Sequence, residues 1–239
     1  MIGLECPARH AVARLLREAR LSFRLSRLRD TLEQLEPVVQ LAEEGCELVA
    51  RRGAGSTTRA SDASRWALGA LRLAASCAYL LGETSKLEHF AALVKQQWGD
   101  DAALLQLLAR SAMDDGRMEE AVDLARRACA RAPRRARLLE LLGRIEARAG
   151  NLDEALAAVR VATRLRPRRA SLRIELAELA LAAGQFDPGL AALGALIDPP
   201  CLLHARLLAG AGRLREAVEM YDRVIDSGHA APVIHSISP

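Results

Sequence analysis

Glycine recurs at one fixed interval through the middle of the chain. Gly116, Gly150 and Gly184 lie 34 residues apart, and Pro133 and Pro167 keep the same interval. A constant period of this length is typical of stacked supersecondary units, each of which buries its apolar face only against its neighbours. The period therefore indicates a repeat architecture, and it constrains the fold more strongly than any single residue of the chain.

Small and apolar residues repeat in register around these glycines, at helical spacings that predict two helices per repeat. The positions before the glycines are Leu105, Leu108 and Ala109, then Leu139, Leu142 and Gly143, and those after them are Ala121, Ala125 and Ala128, then Ala155, Val159 and Ala162. A glycine between the two helices enters the left-handed backbone region at the least cost. One period before Gly116 stands Gly82, so a weaker copy is predicted around it.

Residues beside the turns predict how several helices begin. The residues at 99–101 (Gly-Asp-Asp) are expected to supply a turn and the N-cap of the next helix. Asn151 is expected to cap a later helix, with Glu154 completing a capping box. In the following copy Asp187 is expected to be the cap, with Pro188 at the first helical position.

The last copy departs from the period, because Gly212 follows Gly184 by 28 residues. The prolines at 199–200 are expected to end the preceding helix on schedule, so that the missing residues come from the first helix of this copy. Its second helix is predicted at 214–226. No polar capping helix follows, so this copy is expected to expose apolar surface unless the tail or a partner covers it.

Residues 8–51 are predicted to be helical with one interruption. An apolar seam with alternating three- and four-residue spacing consists of Leu28, Leu32, Leu35, Val39, Ala42, Cys46 and Val49. Pro37 lies inside this seam and is expected to kink or end a helix near Glu36. Two interpretations stay open: the N-terminal helices pack on the first repeat, or the seam pairs with a second copy of the chain. The small polar residues at 53–63 predict a flexible linker, with an anion or phosphorylation site near Ser56 as the alternative.

The composition indicates a helical protein with an aliphatic core. Hydrophobic residues make up 51% of the chain and aromatic residues 3%, so alanine and leucine must fill most of the core. The five cysteines are dispersed without zinc spacing, which predicts reduced core thiols in a cytosolic protein. The N-terminus lacks the segments of a secretion signal, and the most apolar stretch, 66–82, contains Arg72 and is too short to span a bilayer. We therefore expect a cytoplasmic protein.

The repeated residues resemble the tetratricopeptide repeat motif over about 66–228. The copy at 136–169 has at motif positions Leu139, Leu142, Gly143, Gly150, Ala155, Val159, Ala162 and Pro167. Smaller aliphatic residues fill most of the motif's Trp, Tyr and Phe positions, and Glu146 stands where Tyr is usual. The resemblance implies an all-α, right-handed α-solenoid of stacked helix-turn-helix repeats with an N-terminal helical segment. The predicted segments are an N-terminal helical segment at 1–52, a linker at 53–63, a repeat domain at 64–228 (copies at about 66–99, 102–135, 136–169, 170–201 and 202–228) and a tail at 229–239.

The resemblance also implies a concave groove, lined by the first helix of each repeat, that binds peptides or helices of other proteins and catalyses no reaction. The residues predicted to line it are Arg72, Gln106, Arg110, Arg137, Glu140, Arg144, Arg148, Glu178 and Arg206. Because most of them are arginines, the expected partner is an acidic or carboxylate-bearing peptide or helix. The family's carboxylate clamp uses paired Lys and Asn in successive first helices, and the single Asn of this chain lies in a turn, so that subtype is excluded. The expected function is that of a bacterial-style cytoplasmic adaptor, scaffold or chaperone.

Two alternative functions remain. One is a secretion-type or regulatory chaperone that forms a homodimer through its N-terminal helices. The other is a nucleic-acid-binding regulator with an arginine edge made of the repeat pairs Arg126 and Arg160, Arg134 and Arg168, and Arg135 and Arg169. The scarcity of aromatic stacking platforms disfavours the second. The five histidines lie in unrelated contexts without metal-ligand spacing, so we expect no enzyme activity, no cofactor and no metal.

Overall fold

The computed structural model describes residues 6–52, 62–194, 196 and 201–226, and these residues form twelve α-helices and no strand. The helices are α1 (Cys6–Arg24), α2 (Leu28–Arg52), α3 (Asp62–Leu81), α4 (Thr84–Trp98), α5 (Ala102–Asp114), α6 (Met118–Arg131), α7 (Ala136–Arg148), α8 (Leu152–Leu165), α9 (Ala170–Ala182), α10 (Phe186–Gly194), α11 (Cys201–Gly210) and α12 (Leu214–Asp226). Two N-terminal helices thus precede five helix pairs, α3–α4 to α11–α12. The all-α prediction is confirmed.

A glycine in the left-handed region joins the two helices of each pair. At Gly150 φ is 84°, and the amide of the next residue, Asn151, donates to the carbonyl oxygen of Glu146 at 2.8 Å. This is the long-range bond of a Schellman-type helix end, in which a β-carbon on the left-handed residue would be strained. The equivalent residues, with φ of 74°, 78°, 67° and 75°, are Gly82, Gly116, Gly184 and Gly212. The bends that the period predicts are therefore confirmed.

Contacts divide the chain into two compact units, unit 1 (Met1–Ala132) and unit 2 (Pro133–Pro239). In unit 1 one apolar cluster includes buried residues from each of the helices α1 to α5. Among them, Leu16, Leu35 and Leu71 are at most 1% exposed. The cluster is built mainly from alanine and leucine, as the composition requires. The predicted division into an N-terminal segment, a linker and a repeat domain stays a prediction.

The predicted apolar seam of α2 packs inside unit 1. Leu35, Val39 and Ala42 are at most 4% exposed and belong to the same cluster as Leu71 and Ala74 of α3. These three side chains therefore pack on the first repeat and leave no free apolar surface there for a second copy. The side chains at positions 46 and 49, and the linker residues 53–61, lie outside the described residues.

The break in the N-terminal helical segment does not lie at Pro37. The helix α2 continues through Pro37, and the break is at 25–27, where Ser26 has a φ of 59°. An internal proline costs a backbone hydrogen bond and a steric clash, about 3 kcal/mol. Leu35 and Val39, 0% and 4% exposed, bury apolar surface on both sides of the proline and hold α2 against the core. The expectation that a helix ends near Glu36 is therefore wrong.

In unit 2 the second helices α8 and α10 each pack on the first helix of the next pair. The helix α8 contacts both α7 and α9, and α10 contacts both α9 and α11. Leu156 and Val159 of α8 share an apolar cluster with Leu176 of α9. Leu193 of α10 and Leu207 of α11 share another. Each pair thus depends on its neighbour for burial of its apolar face.

The spacing before Gly212 is short because two helices, α10 and α11, have each lost residues. The helix α10 has 9 residues against 14 in α8, and α11 has 10 against 13 in α9. The prediction that the missing residues come from the first helix alone is wrong, because α10 already ends at Gly194, ahead of the prolines at 199–200. Gly189 and Gly194 both lower the helix propensity of this segment. The predicted helix at 214–226 is confirmed as α12.

The predicted caps differ from the structure at two of three positions. Asp101 caps α5, since its Oδ1 accepts from two first-turn amides at 3.1 and 3.2 Å. The side chain of Asn151 instead donates to Glu146 Oε2 at 2.8 Å, and no capping box forms. The 1% exposed Glu146 needs such a donor, because a buried polar group without a partner is costly. The helix α10 begins at Phe186, so Asp187 and the proline after it lie inside its first turn.

Candidate binding surface

The first-helix surface of unit 2 consists of the exposed and half-buried side chains of α7, α9 and α11. Arg144, Glu178 and Arg206 occupy one equivalent repeat position on the three helices, and all three are exposed. The helices are neighbours, because Arg144 Nε donates to Glu175 Oε1 of α9 at 3.3 Å and α9 contacts α11. Predicted groove residues from three successive repeats therefore share one surface.

Glu140 of α7 is the buried centre of an ion-pair network beneath this surface. Its side chain is 8% exposed. Oε1 accepts from Arg144 Nη2 at 2.5 Å, and Oε2 accepts from Arg169 Nη1 at 2.9 Å. A buried carboxylate requires such donors, because an unpaired buried charge is strongly destabilising. Glu140 thus fixes the turn before α9 to α7 and holds two arginines in place.

Arg144 is shared with a second carboxylate, that of Glu175. Burial raises the pKa of the half-buried Glu175, and Arg144 opposes that rise. Glu140 and Glu178 add to the rise, because a nearby negative charge disfavours ionisation. Arg144 therefore balances two carboxylates within unit 2, and an incoming carboxylate would compete with them for its guanidinium group.

Three other arginines that are predicted to line the groove have guanidinium groups that remain available to a partner. Arg137, Arg148 and Arg206 are exposed, and none of them pairs with another of the described side chains. Ile174 and Leu202 stand at the repeat position that Glu140 fills on α7, and Leu202 is 52% exposed. The surface thus combines unpaired guanidinium groups on α7 and α11 with apolar side chains on α9 and α11.

Unit 1 holds the remaining predicted residues, and they are less available. Arg72 is paired with Asp101, the N-cap of α5. Gln106 and Arg110 are half-buried on α5. Tyr79, absent from the prediction, donates from its hydroxyl to Asp114 Oδ2 at 3.0 Å, and its pKa is raised by burial first and by Asp114 second.

Sequence reasoning missed the ion pairs that engage the predicted residues. Arg169, Glu175 and Asp101 all approach from a neighbouring repeat, at separations of 29 to 31 residues. Their signal is a charge of opposite sign slightly less than one period away, and it is visible in the sequence only once the repeat register is known.

The predicted arginine edge is partly occupied within the chain. Arg134, Arg135 and Arg168 are exposed in unit 2 and carry no described ion pair. Arg169, predicted to stand beside them, turns instead to the buried Glu140 at 2.9 Å. The edge in unit 2 is therefore basic but smaller than the sequence pattern indicates.

A separate cleft of about 250 Å³ lies in unit 1 between α4, α5 and α6. Its apolar lining includes Leu104 and Leu108, and its rim includes Asp100 and Arg127. These rim charges pair with one another at 2.8 Å. The hydrogen bond from Arg127 holds the pKa of Asp100 below its ordinary range against a smaller effect of burial. The cleft therefore offers few unpaired charges.

Other features of the described residues bear on metals, thiols and membranes. Within the described part of the chain no three His, Cys, Asp or Glu side chains are grouped so as to hold a metal ion. Burial raises the pKa of the free thiols of Cys77 and Cys129 to about 11, so both stay protonated at neutral pH. None of the described helices combines the length and the apolar character that a bilayer span requires.

Comparison with solved structures shows the fold. PilF of Pseudomonas aeruginosa is 14% identical with a TM-score of 0.61, covering 93% of this chain and 94% of that chain. MamA is 16% identical with a TM-score of 0.56, covering 69% of this chain and 94% of that one. A tetratricopeptide repeat protein from Parabacteroides merdae is 14% identical with a TM-score of 0.56, covering 91% of this chain and 80% of that one. No curated protein matches the chain in sequence.

The family model for the tetratricopeptide repeat matches residues 87–136 and 107–170. These ranges run from α4 to the start of α9 and include Gly116 and Gly150, the two glycines at which the period is clearest. Proteins built from such repeats generally mediate protein–protein interactions. Residues 87–170 therefore match the tetratricopeptide repeat, and the all-helical fold is similar to that of solved tetratricopeptide repeat proteins and consistent with an α-solenoid.

Proposed function

We propose that the protein is a scaffold or adaptor whose first-helix surface in unit 2 binds an amphipathic, carboxylate-bearing segment of a partner protein. The observation that carries the proposal is the combination of three exposed, unpaired arginines with exposed Leu202 on the same set of helices. Guanidinium groups bind carboxylates in a planar, two-point geometry, which makes arginine the suited residue for this partner. The interaction catalyses no reaction and needs no cofactor.

In this mechanism Arg144 supports the surface, and other arginines contact the partner. Glu140 and Glu175 hold Arg144 within the unit, so Arg144 mainly fixes the spacing of α7 and α9. Arg148 and Arg206 are exposed and unpaired, and they supply the charge that meets the partner. Apolar side chains of the segment pack on Leu202, which gives the contact an affinity that exposed ion pairs alone, at about 0.2–1 kcal/mol each, do not provide.

The test is affinity capture of the partner followed by quantitative binding to variants. Arg206→Glu is expected to weaken partner binding by tenfold or more, equivalent to about 1.4 kcal/mol, because it places a like charge against the partner's carboxylates. Arg164→Glu is the matched control, since Arg164 is exposed and unpaired in the same unit but lies on the second helix α8. Arg144→Glu is less suitable, because it also breaks the Glu140 network.

Equal loss of binding in the Arg206 and Arg164 variants would refute a site on the first helices. Unchanged binding in both would do the same. Binding that weakens only with the edge variant Arg168→Glu would favour the basic edge and a nucleic acid partner. In that case the affinity for generic DNA should fall steeply as the salt concentration rises, because about one counterion is released for each phosphate that the protein neutralises. No DNA binding at low salt would exclude this alternative.

The proposed compartment is the cytoplasm, where dispersed cysteines stay reduced. The buried thiol of Cys77 and the half-buried thiol of Cys129 support it, because neither is paired in the described structure. Chaperone activity is the finer form of the same proposal. It predicts that the captured partner is less soluble when it is produced without this protein.

A further inference from the structure

The outer stripe of α12 is apolar and exposed. Leu214, Val218 and Ile225 are 65%, 58% and 66% exposed, and half-buried Tyr221 completes the stripe. Positions separated by four, three and four residues lie on one side of a helix. The adjacent side of the helix packs on α11 and buries Ala217, 2% exposed. The apolar arc of this helix is therefore wider than the part that α11 covers.

The equivalent positions on α8 show what covers such a stripe. Leu156 and Val159, at the repeat positions of Val218 and Tyr221, are 2% and 0% exposed. They lie against Leu176 of α9, the first helix of the next pair. In the repeat architecture the first helix of the next pair covers the positions that form this stripe. No described helix follows α12 to do so.

We propose that this stripe is a dimer interface, on which α12 of a second copy packs in antiparallel orientation. The stripe is symmetric about its midpoint, so a two-fold axis there brings Leu214 against Ile225 of the second copy and Val218 against Tyr221. Each contact then occurs twice, as an isologous interface requires. The spacing of alternating four and three residues is that of an antiparallel helix pair packed knobs-into-holes.

Charges beside the stripe are complementary in the same arrangement. Arg215 and Asp222 are exposed and flank the stripe on the side away from α11. The two-fold axis places Arg215 of one copy next to Asp222 of the other, and the reverse pair forms at the other end of the helix. A parallel pairing would place the Arg215 and Asp222 side chains of the two copies on opposite sides of the helix pair, where they could not pair with one another. The charges therefore select the antiparallel orientation and a second copy as the occupant.

This interface differs from the N-terminal seam, whose Leu35, Val39 and Ala42 are already buried within unit 1. It is also independent of the first-helix surface proposed for partner binding. A second copy necessarily carries the complementary charges at the matching positions. Nothing requires such charges in a helix of a different protein or in another segment of this chain.

Sedimentation velocity of the full chain, over a hundredfold range of concentration, tests the proposal. The wild type is expected to shift from monomer to dimer with rising concentration. Val218→Arg, which places a charge in the centre of the stripe, is expected to raise the dissociation constant by at least tenfold with an unchanged helical circular dichroism spectrum. Arg223→Asp is the matched control, since Arg223 is exposed on the side of α12 opposite the stripe.

Charge-reversed variants give a signature that a loss of stability cannot imitate. Arg215→Asp and Asp222→Arg should each weaken self-association, because like charges then meet at both ends. A mixture of the two variants should form a heterodimer with restored affinity, since every facing pair is opposite again. A wild type that stays monomeric at all concentrations would overturn the proposal and favour another occupant. A dimer that survives Val218→Arg, or variants that do not recover on mixing, would overturn it as well.

Discussion

At Gly143 the two helices of one repeat approach too closely for a side chain. A β-carbon there would lie 2.4 Å from Val159 Cγ2 and 3.3 Å from the backbone oxygen of Ala155. Val159 is fully buried, and its β-branched side chain has one strongly preferred rotamer in a helix. We therefore predict that Gly143→Ala lowers the free energy of unfolding by about 1–3 kcal/mol, although alanine favours a helix over glycine by about 1 kcal/mol. Urea denaturation measures the change.

Gly69→Ala is the matched control for this prediction. Gly69 lies inside α3, and a β-carbon there meets no atom within 4 Å. This substitution should therefore raise the free energy of unfolding by roughly 0.5–1 kcal/mol. The double variant Gly143→Ala with Val159→Ala should lose less stability than the sum of the two single variants, because the clash disappears. A stabilising Gly143→Ala would show that the two helices separate easily.

Sequence reasoning located single residues well where their role is local. Gly150 bends the chain because a left-handed residue is needed between two helices, and the period alone identifies it. The side-chain partner of Asn151 was not predictable in the same way. Asn151 satisfies the buried Glu146 rather than a helix end, and the burial of Glu146 depends on packing that the repeat pattern does not contain.

Between elements, one ion pair joins α3 to the beginning of α5. Arg72 Nε donates to Asp101 Oδ1 at 3.2 Å, and a second guanidinium nitrogen binds the other carboxylate oxygen. Burial raises the pKa of Asp101, but Arg72 and the two capped amides outweigh burial and leave the pKa below the ordinary value of 3.8. The carboxylate thus links the N-cap of one repeat to the first helix of the preceding one.

The lowered pKa of Asp101 predicts acid sensitivity. A carboxyl with a lowered pKa contributes stability above its unfolded pKa and loses it as the pH falls through the folded pKa. The free energy of unfolding should therefore decrease between about pH 5 and pH 2. Asp101→Asn keeps an acceptor for the cap but removes the charge, so its profile should be flatter over that range. Urea denaturation at several pH values measures both, and parallel profiles would contradict the prediction.

Element boundaries were predictable where glycine sets them and not where packing overrides propensity. The helix α12 begins and ends as predicted, because Gly212 fixes its start and its apolar period is regular. The continuation of α2 through Pro37 depends on the burial of residues on either side of the proline, and propensity gives no measure of that burial. The short α10 likewise reflects two glycines whose combined effect the fixed period conceals.

For the whole molecule, the predicted groove is distributed over two units that differ in availability. Arg72, Gln106 and Arg110 belong to unit 1, where they are paired or half-buried, and the other six belong to unit 2. The repeat register gives Arg144 of α7 and Arg206 of α11 one equivalent position, with Glu178 at that position on the intervening α9. It did not reveal that Glu140 and Glu175 occupy Arg144, because a periodic pattern gives positions along the chain and not distances between side chains.

Amide hydrogen exchange should reveal how burial varies along the repeats. The helix α8 is covered by α7 and α9, whereas α12 packs on α11 and leaves its stripe of Leu214, Val218 and Ile225 exposed. Local stability in stacked repeats is the sum of each unit and its neighbouring interfaces, so a helix with one interface opens more readily. We predict that α12 amides exchange faster than α8 amides in dilute protein, as measured by mass spectrometry of proteolytic peptides.

If a second copy covers the stripe, exchange in α12 should slow with rising protein concentration while exchange in α8 stays constant, because dimerisation adds the missing interface to α12 alone. Slower exchange in α12 than in α8 at low concentration would mean that a segment of the same chain already protects this helix.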